Sequence, residues 1–162
     1  MSCRKAEMTR LLKFYHYMFG LENYLLLARV VQSAWLVRKL LPDQLPAPSF
    51  ASALEAVDKV YLAPQRDWKI SDEKKIARFA GFVVNFPIHW GKCVQQSLII
   101  YRLLNGYGIP AKICFGVSRG QNSNDGHAWV IKLSEPERPF AEVFDPRERF
   151  KTVYISPIPE AD

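Results

Sequence analysis

The sequence predicts an α+β fold, in which a helix that carries a cysteine packs on a small antiparallel sheet. Apolar residues recur at helical spacing up to about residue 105, and they alternate with polar residues after residue 110. Helices that come first and strands that follow, without alternating, are typical of α+β proteins. The 162 residues suit one compact domain, with a helical N-terminal region over residues 1–80 that packs on a core over residues 81–162.

Three helices are expected before the cysteine. Apolar periodicity predicts a helix over residues 9–41, broken near Gly20, and a short amphipathic helix over residues 52–61. Three prolines between residues 42 and 48 separate these two segments. Ser71-Asp72-Glu73-Lys74 resembles a capping arrangement and predicts a third helix that reaches Phe79 or beyond.

The stretch around Cys93 predicts a buried helix. Cys93 follows Gly91-Lys92 and precedes an almost uninterrupted apolar run, Leu98-Ile99-Ile100-Tyr101 and Leu103-Leu104. Asn105-Gly106 and the later Pro110 provide stop signals. We therefore expect Cys93 in the first turn of this helix.

Three strands are expected after this helix. Residues 111–117 and 127–133 alternate as strands do, and a polar loop rich in Gly and Asn lies between them. A turn over residues 134–139, centred near Pro136-Glu137, would lead to a third strand over residues 140–144.

Composition narrows the class of protein. The formal net charge of +6 is spread along the chain, which suggests weak attraction to anionic partners, but no nucleic-acid-binding signature is found. Cys3, Cys93 and Cys114 form no metal-binding or disulfide pattern, so we expect a reduced, cytoplasmic setting and no metal. Charged residues interrupt the apolar stretch of residues 21–41, so no membrane span is expected.

Cys93 is the candidate nucleophile. The first turn of a helix has unpaired N–H groups and the positive end of the macrodipole, and both favour thiolate over thiol. The alternative is that Cys93 is only a packed core residue, as free cysteines often are. We assign Cys114, in an alternating strand, to the core.

A thiolate nucleophile needs an imidazole and a group that orients it. His127 is the best of the three histidines because it opens a strand directly after a glycine-bearing loop, whereas His16 is expected to pack and His89 to line the site. A turn near Pro136-Glu137 would bring Asp145 opposite His127 and leave Glu142 facing elsewhere. Asp145 could equally cap a turn before the following proline.

Three motifs of the chain resemble those of the transglutaminase-like superfamily. They are Gly91-Lys92-Cys93, His127-Ala128-Trp129-Val130 and Phe144-Asp145-Pro146, against the family pattern G-x-C, H-A-W-V and D-P. Over about residues 90–130 the chain is also similar to the lasso-peptide leader peptidases, the microcin-J-type maturation cysteine proteases. This closer resemblance is carried by Cys93-Val94-Gln95-Gln96-Ser97-Leu98, Tyr101-Arg102-Leu103-Leu104, Tyr107-Gly108-Ile109-Pro110-Ala111-Lys112 and Gly116-Val117.

The resemblance implies a papain-like core with a Cys-His-Asp triad. Cys93 would be the nucleophile, His127 the general base and acid, and Asp145 the orienting group, although the hairpin between His127 and Asp145 is longer than in the peptidase subgroup. The Cys93 backbone N–H would form part of an oxyanion hole, the second donor coming from the His89-Trp90 region, and Trp129 would pack beside His127.

The implied activity is removal of the leader peptide from a ribosomally synthesised lasso-peptide precursor, through a thioester intermediate. The implied partners are the precursor, a separate leader-recognition protein, and an ATP-dependent macrolactam synthetase that acts on the released core. No cofactor is expected, and no phosphate-binding loop is present in the sequence. Two alternatives stay open: acyl transfer to an amine, and a catalytically inactive scaffold in which Cys93 is simply packed.

Overall fold

The computed structural model describes residues 20–41, 50–85, 93–118 and 126–157. Five helices and four strands lie within these ranges, and they confirm the predicted α+β fold. The helices are α1 (Leu21–Leu40), α2 (Phe50–Val60), α3 (Lys74–Asn85), α4 (Cys93–Gly106) and the short α5 (Pro146–Arg149). The strands are β1 (Ala111–Ser118), β2 (Gly126–Lys132), β3 (Glu135–Pro139) and β4 (Phe150–Ile155). The helix predicted before Gly20, together with Cys3 and His16, lies outside the described residues.

The four strands form one antiparallel sheet in the order β3-β2-β1-β4. In the β1–β2 pair, Gly116 lies opposite His127 and Phe115 opposite Ala128. On its other side β1 pairs with β4, with a register shift between Phe115 and Gly116. The sheet therefore places the start of β2, which carries His127, next to the end of β1.

The third strand was predicted in the wrong place. The chain turns at Leu133 and Ser134, so residues 135–139, which we expected to be a turn, form β3, and residues 140–144 form no strand. Pro136 and Pro139 are tolerated because β3 is at the edge of the sheet, where a proline need not donate to a neighbouring strand. β4 was not predicted.

Helix α4 is the centre of the molecule. It is buried on nearly all sides, packs against α1, α3 and β2, and belongs to one apolar core shared by the helices and the sheet. At its C-terminal end the Asn105 side chain bonds both the N–H and the C=O of Ala111, which fixes the start of β1. Gly108, with a φ of 74°, lets the chain reverse between them. The division into an N-terminal region over residues 1–80 and a core over residues 81–162 stays a prediction.

None of the helices within the described ranges is both long enough and apolar enough to cross a membrane.

Candidate active site

Cys93 is the first residue of α4, as the sequence predicted, and its thiol opens into a cavity of about 210 Å³. The cavity lies between the start of α4, the start of β2 and the segment that follows β3. Ten described residues line it: Cys93, Gln96, Ser97, Ile100, His127, Ala128, Val130, Phe140, Ala141 and Glu142. The sulfur therefore faces a pocket and is not enclosed in the core.

The surroundings of Cys93 favour the thiolate. Burial alone would raise the pKa of this thiol, but a hydrogen bond from His127 and backbone N–H groups of Ala128 and Val94 outweigh burial and lower the pKa below its ordinary value. The carbonyl of Gly126 lies 3.9 Å from Sγ. A thiol in this position loses its proton more readily than an ordinary cysteine.

His127 is bound to the thiol and held by aromatic rings. Its ring lies nearly parallel to those of Phe150, Trp129 and Phe144, with centroid distances of 5.1, 6.1 and 6.4 Å. The hydrogen bond with Cys93, and after it the interaction with Glu142, raises the pKa of His127 to about 9. Both shifts favour a thiolate–imidazolium pair.

The carboxylate beside His127 belongs to Glu142. Its Oε1 atom lies 3.4 Å from Nε2 of His127, at ion-pair distance. Nε2 is buried and has no well-aligned hydrogen bond, so Glu142 supplies the charge next to it. The expectation that Glu142 would face elsewhere is wrong, because the chain turns at Leu133 and Ser134, earlier than predicted.

The carboxylate of Asp145 binds Arg147 and is not the acid beside His127. Its side chain accepts hydrogen bonds from the backbone N–H of Arg147 at 2.9 Å and from Nε of the same residue at 2.9 Å, and it caps α5. The guanidinium of Arg147 holds the pKa of Asp145 below its usual range. The structure thus places Asp145 in the capping position that the sequence left open as an alternative, and it brings Glu142 to the imidazole.

The remaining predicted residues fall into three groups. His89 and Trp90 lie outside the described residues. Trp129 is 1% exposed and packs behind His127 without lining the cavity. Cys114 is buried, as predicted, and burial raises its pKa to about 11.

Eight of the ten lining residues were not among the predicted site residues, and three of them show why. Gln96 comes one helical turn after Cys93, and this spacing could have placed it on the same face of α4. To predict the position of Glu142, the turn would have had to be placed at Leu133 and Ser134. Ala141 has a φ of 60°, which an alanine rarely adopts, and no pattern in the sequence signals it.

No three His, Cys, Asp or Glu side chains of the described ranges converge as a metal site requires.

Comparison with known proteins places this site in a family. A family model described as the Transglutaminase-like superfamily matches residues 31–154. This range includes α4, β1 to β3, all of β4 except its last residue, and the three residues Cys93, His127 and Glu142. No curated protein and no solved structure gives a significant match. Members of this superfamily commonly act as cysteine proteases or acyl transferases. Because the family model matches most of its length, and because Cys93 at the start of α4 contacts His127 at the start of β2, this chain belongs to the transglutaminase-like superfamily.

Proposed function

We propose that this chain is a cysteine peptidase that removes the leader peptide from a lasso-peptide precursor. The observation that carries the peptidase activity is the contact between Cys93 and His127 in an open cavity, with the pKa of the thiol lowered and that of the imidazole raised. An inert packed cysteine has the opposite tendency, which is seen at Cys114.

The proposed hydrolysis follows from the pairing of Cys93 with His127. The Cys93 thiolate attacks the scissile carbonyl, and the imidazolium of His127 gives its proton to the leaving amine as the C–N bond breaks. A water molecule then attacks the thioester, with His127 as base, and releases a carboxylate and the free thiol. The N–H of Cys93, at the start of α4, is one donor to the oxyanion.

We assign the orienting role to Glu142 and treat Asp145 as the alternative. Glu142 is the carboxylate next to Nε2 of His127, whereas the Asp145 carboxylate is bound by Arg147. With Nε2 facing Glu142, Nδ1 is the nitrogen left to exchange a proton with the thiol. Glu142 favours the protonated ring and holds its orientation.

The choice of a lasso precursor rests on the sequence resemblance over residues 90–130. The same resemblance favours a cytoplasmic enzyme that works with a separate leader-recognition protein, and whose product goes to an ATP-dependent macrolactam synthetase. Co-purification of the chain with candidate recognition proteins tests that part of the proposal.

The central experiment is reconstituted cleavage of a candidate precursor, followed by mass spectrometry. We expect two products whose masses sum to the precursor plus one water. Cys93→Ala should abolish cleavage, and Cys114→Ala, which removes a buried cysteine outside the cavity, should retain it. Full activity in Cys93→Ala would refute the proposal.

The two other functions give different products. Incorporation of an added amine, in place of water, would identify an acyl transferase. Failure of Cys93 to react with iodoacetamide any faster than Cys3 and Cys114 at mildly acidic pH would identify an inactive scaffold.

A further inference from the structure

A second cavity adjoins the pocket that contains Cys93. It has a volume of about 500 Å³, and Gln96, Phe140, Ala141 and Glu142 line both cavities. We call this second cavity the side groove. A peptide whose scissile bond lies at Cys93 can therefore continue into the side groove past these four shared residues.

Two walls form the side groove. One wall is the start of α3, where Lys74, Ala77 and Arg78 share a helical face. The other is the edge of the sheet, with Lys132 at the end of β2 and Arg138 on β3. Lys74 and Arg138 are both exposed, and they stand on opposite walls.

The carboxylates of the side groove are already engaged. Nζ of Lys132 bonds the carboxylate of Glu135 at 2.8 Å and also that of Glu73, and the Lys132 side chain is only 9% exposed. Glu142, at the shared end, faces His127. Glu135 also interacts with the charges of Lys74 and Arg138. The lining of the side groove nevertheless holds four basic side chains against three acidic ones, so its net charge is positive.

We propose that the side groove binds an acidic side chain of the peptide substrate, held by Lys74 and Arg138. The proposal rests on the proposed peptidase function and adds a substrate preference to it. A carboxylate between these two cations gains from both, and the net charge of +6 attracts such a peptide to the surface. A basic side chain would meet positive charge instead, because Lys132 already occupies Glu73 and Glu135.

The test compares peptidyl chloromethyl ketones that differ only in carrying Glu, Gln or Lys at each position in turn. These probes alkylate Cys93, so the rate of labelling reports binding near the thiolate without requiring hydrolysis. We expect the Glu probe to react about tenfold faster than the Gln probe at one or more positions, which corresponds to one well-placed ion pair. This preference should shrink in high salt.

Charge reversal supplies the matched variants. Lys74→Glu together with Arg138→Glu should remove or invert the preference for Glu. Arg66→Glu together with Lys69→Glu changes the net charge equally at exposed residues outside the side groove, and should keep the preference.

Iodoacetamide separates the two possible failures. If Cys93 of the unaltered protein reacts no faster than the other cysteines, the peptidase function fails and the substrate preference with it. If Cys93 reacts rapidly but the Glu and Gln probes label equally at every position, or the Lys probe is fastest, only the side-groove proposal is overturned.

Discussion

The hydroxyl of Ser97 donates a buried 2.8 Å hydrogen bond to the carbonyl of Ala128, and this bond joins the helix that carries Cys93 to the strand that carries His127. Ser97 comes one helical turn after Cys93, and Ala128 directly follows His127. The bond therefore spans the same gap as the thiol–imidazole contact. Ser97 is a positioning residue in the proposed reaction.

Replacing Ser97 with alanine tests this role. Ser97→Ala leaves the buried carbonyl of Ala128 without its side-chain donor, which should reduce the free energy of unfolding by about 1–3 kcal/mol. Without this bond the contact between Cys93 and His127 should lengthen. Burial would then dominate at Cys93, so we expect its pKa to rise and kcat to fall. Alkylation rates measured against pH give that pKa.

Ser156→Ala is the matched control. Ser156 is equally buried, and its Oγ atom accepts a hydrogen bond from the N–H of Ile113, away from the cavity. It should lose similar stability but keep the pKa of Cys93. If both variants left that pKa unchanged, Ser97 would be a purely structural residue.

The choice between Glu142 and Asp145 is decided by neutralising each. Glu142→Gln removes one cause of the raised pKa of His127, so the alkaline limb of kcat/KM should move to lower pH and activity on that side should fall. Asp145→Asn keeps an N-cap for α5, so its activity and stability should stay near those of the unaltered protein. The reverse ranking in a cleavage assay would return the orienting role to Asp145.

The sequence predicts those site residues whose position depends only on neighbouring residues in the chain. Cys93 at the start of α4 follows from a cysteine directly before an apolar run, and His127 at the start of β2 follows from alternation after a glycine-bearing loop. Both signals lie within a few residues of the side chain concerned. The predicted α+β fold has the same origin, in a change of apolar period after residue 105.

The acid was missed because its position depends on register. Prolines at 136 and 139 favoured a turn there, but at an open sheet edge they are compatible with a strand, and the actual turn lies at Leu133 and Ser134. Moving the turn changes which residue comes opposite His127. Local sequence cannot reveal that β3 is an edge strand, because the strand order depends on contacts between distant segments.

The pH dependence follows from the two shifted groups. The lowered pKa of Cys93 keeps the thiolate present below the ordinary thiol range, and the imidazolium persists up to its pKa of about 9. Cleavage should therefore show a plateau that falls on the acidic side as the thiolate gains a proton, and on the alkaline side near pH 9 as His127 loses one.

Removing either partner should shift the pKa of the other in a fixed direction. Cys93→Ala removes the largest cause of the raised pKa of His127, so its NMR titration should move to lower pH. His127→Asn leaves burial dominant at Cys93, so the midpoint of alkylation should move to higher pH. Unchanged midpoints in both variants would mean that the pair is not coupled.

Gly116 tests whether the aromatic support of His127 matters. A Cβ atom at this residue would lie 2.9 Å from Cη2 and Cζ3 of Trp129 and 3.0 Å from Cβ of Phe150, and both of these rings stack on His127. Gly116→Ala should therefore destabilise the protein by about 1–3 kcal/mol and displace the imidazole from Cys93, lowering the rate of alkylation at mildly acidic pH. In Gly126→Ala the nearest atom, the carbonyl oxygen of Gly116, lies 3.6 Å from the added carbon, so this control should change both quantities little. Equal loss of alkylation in the two variants would mean that any added methyl near the cavity disturbs the thiol, and that the stacked rings do not specifically hold His127.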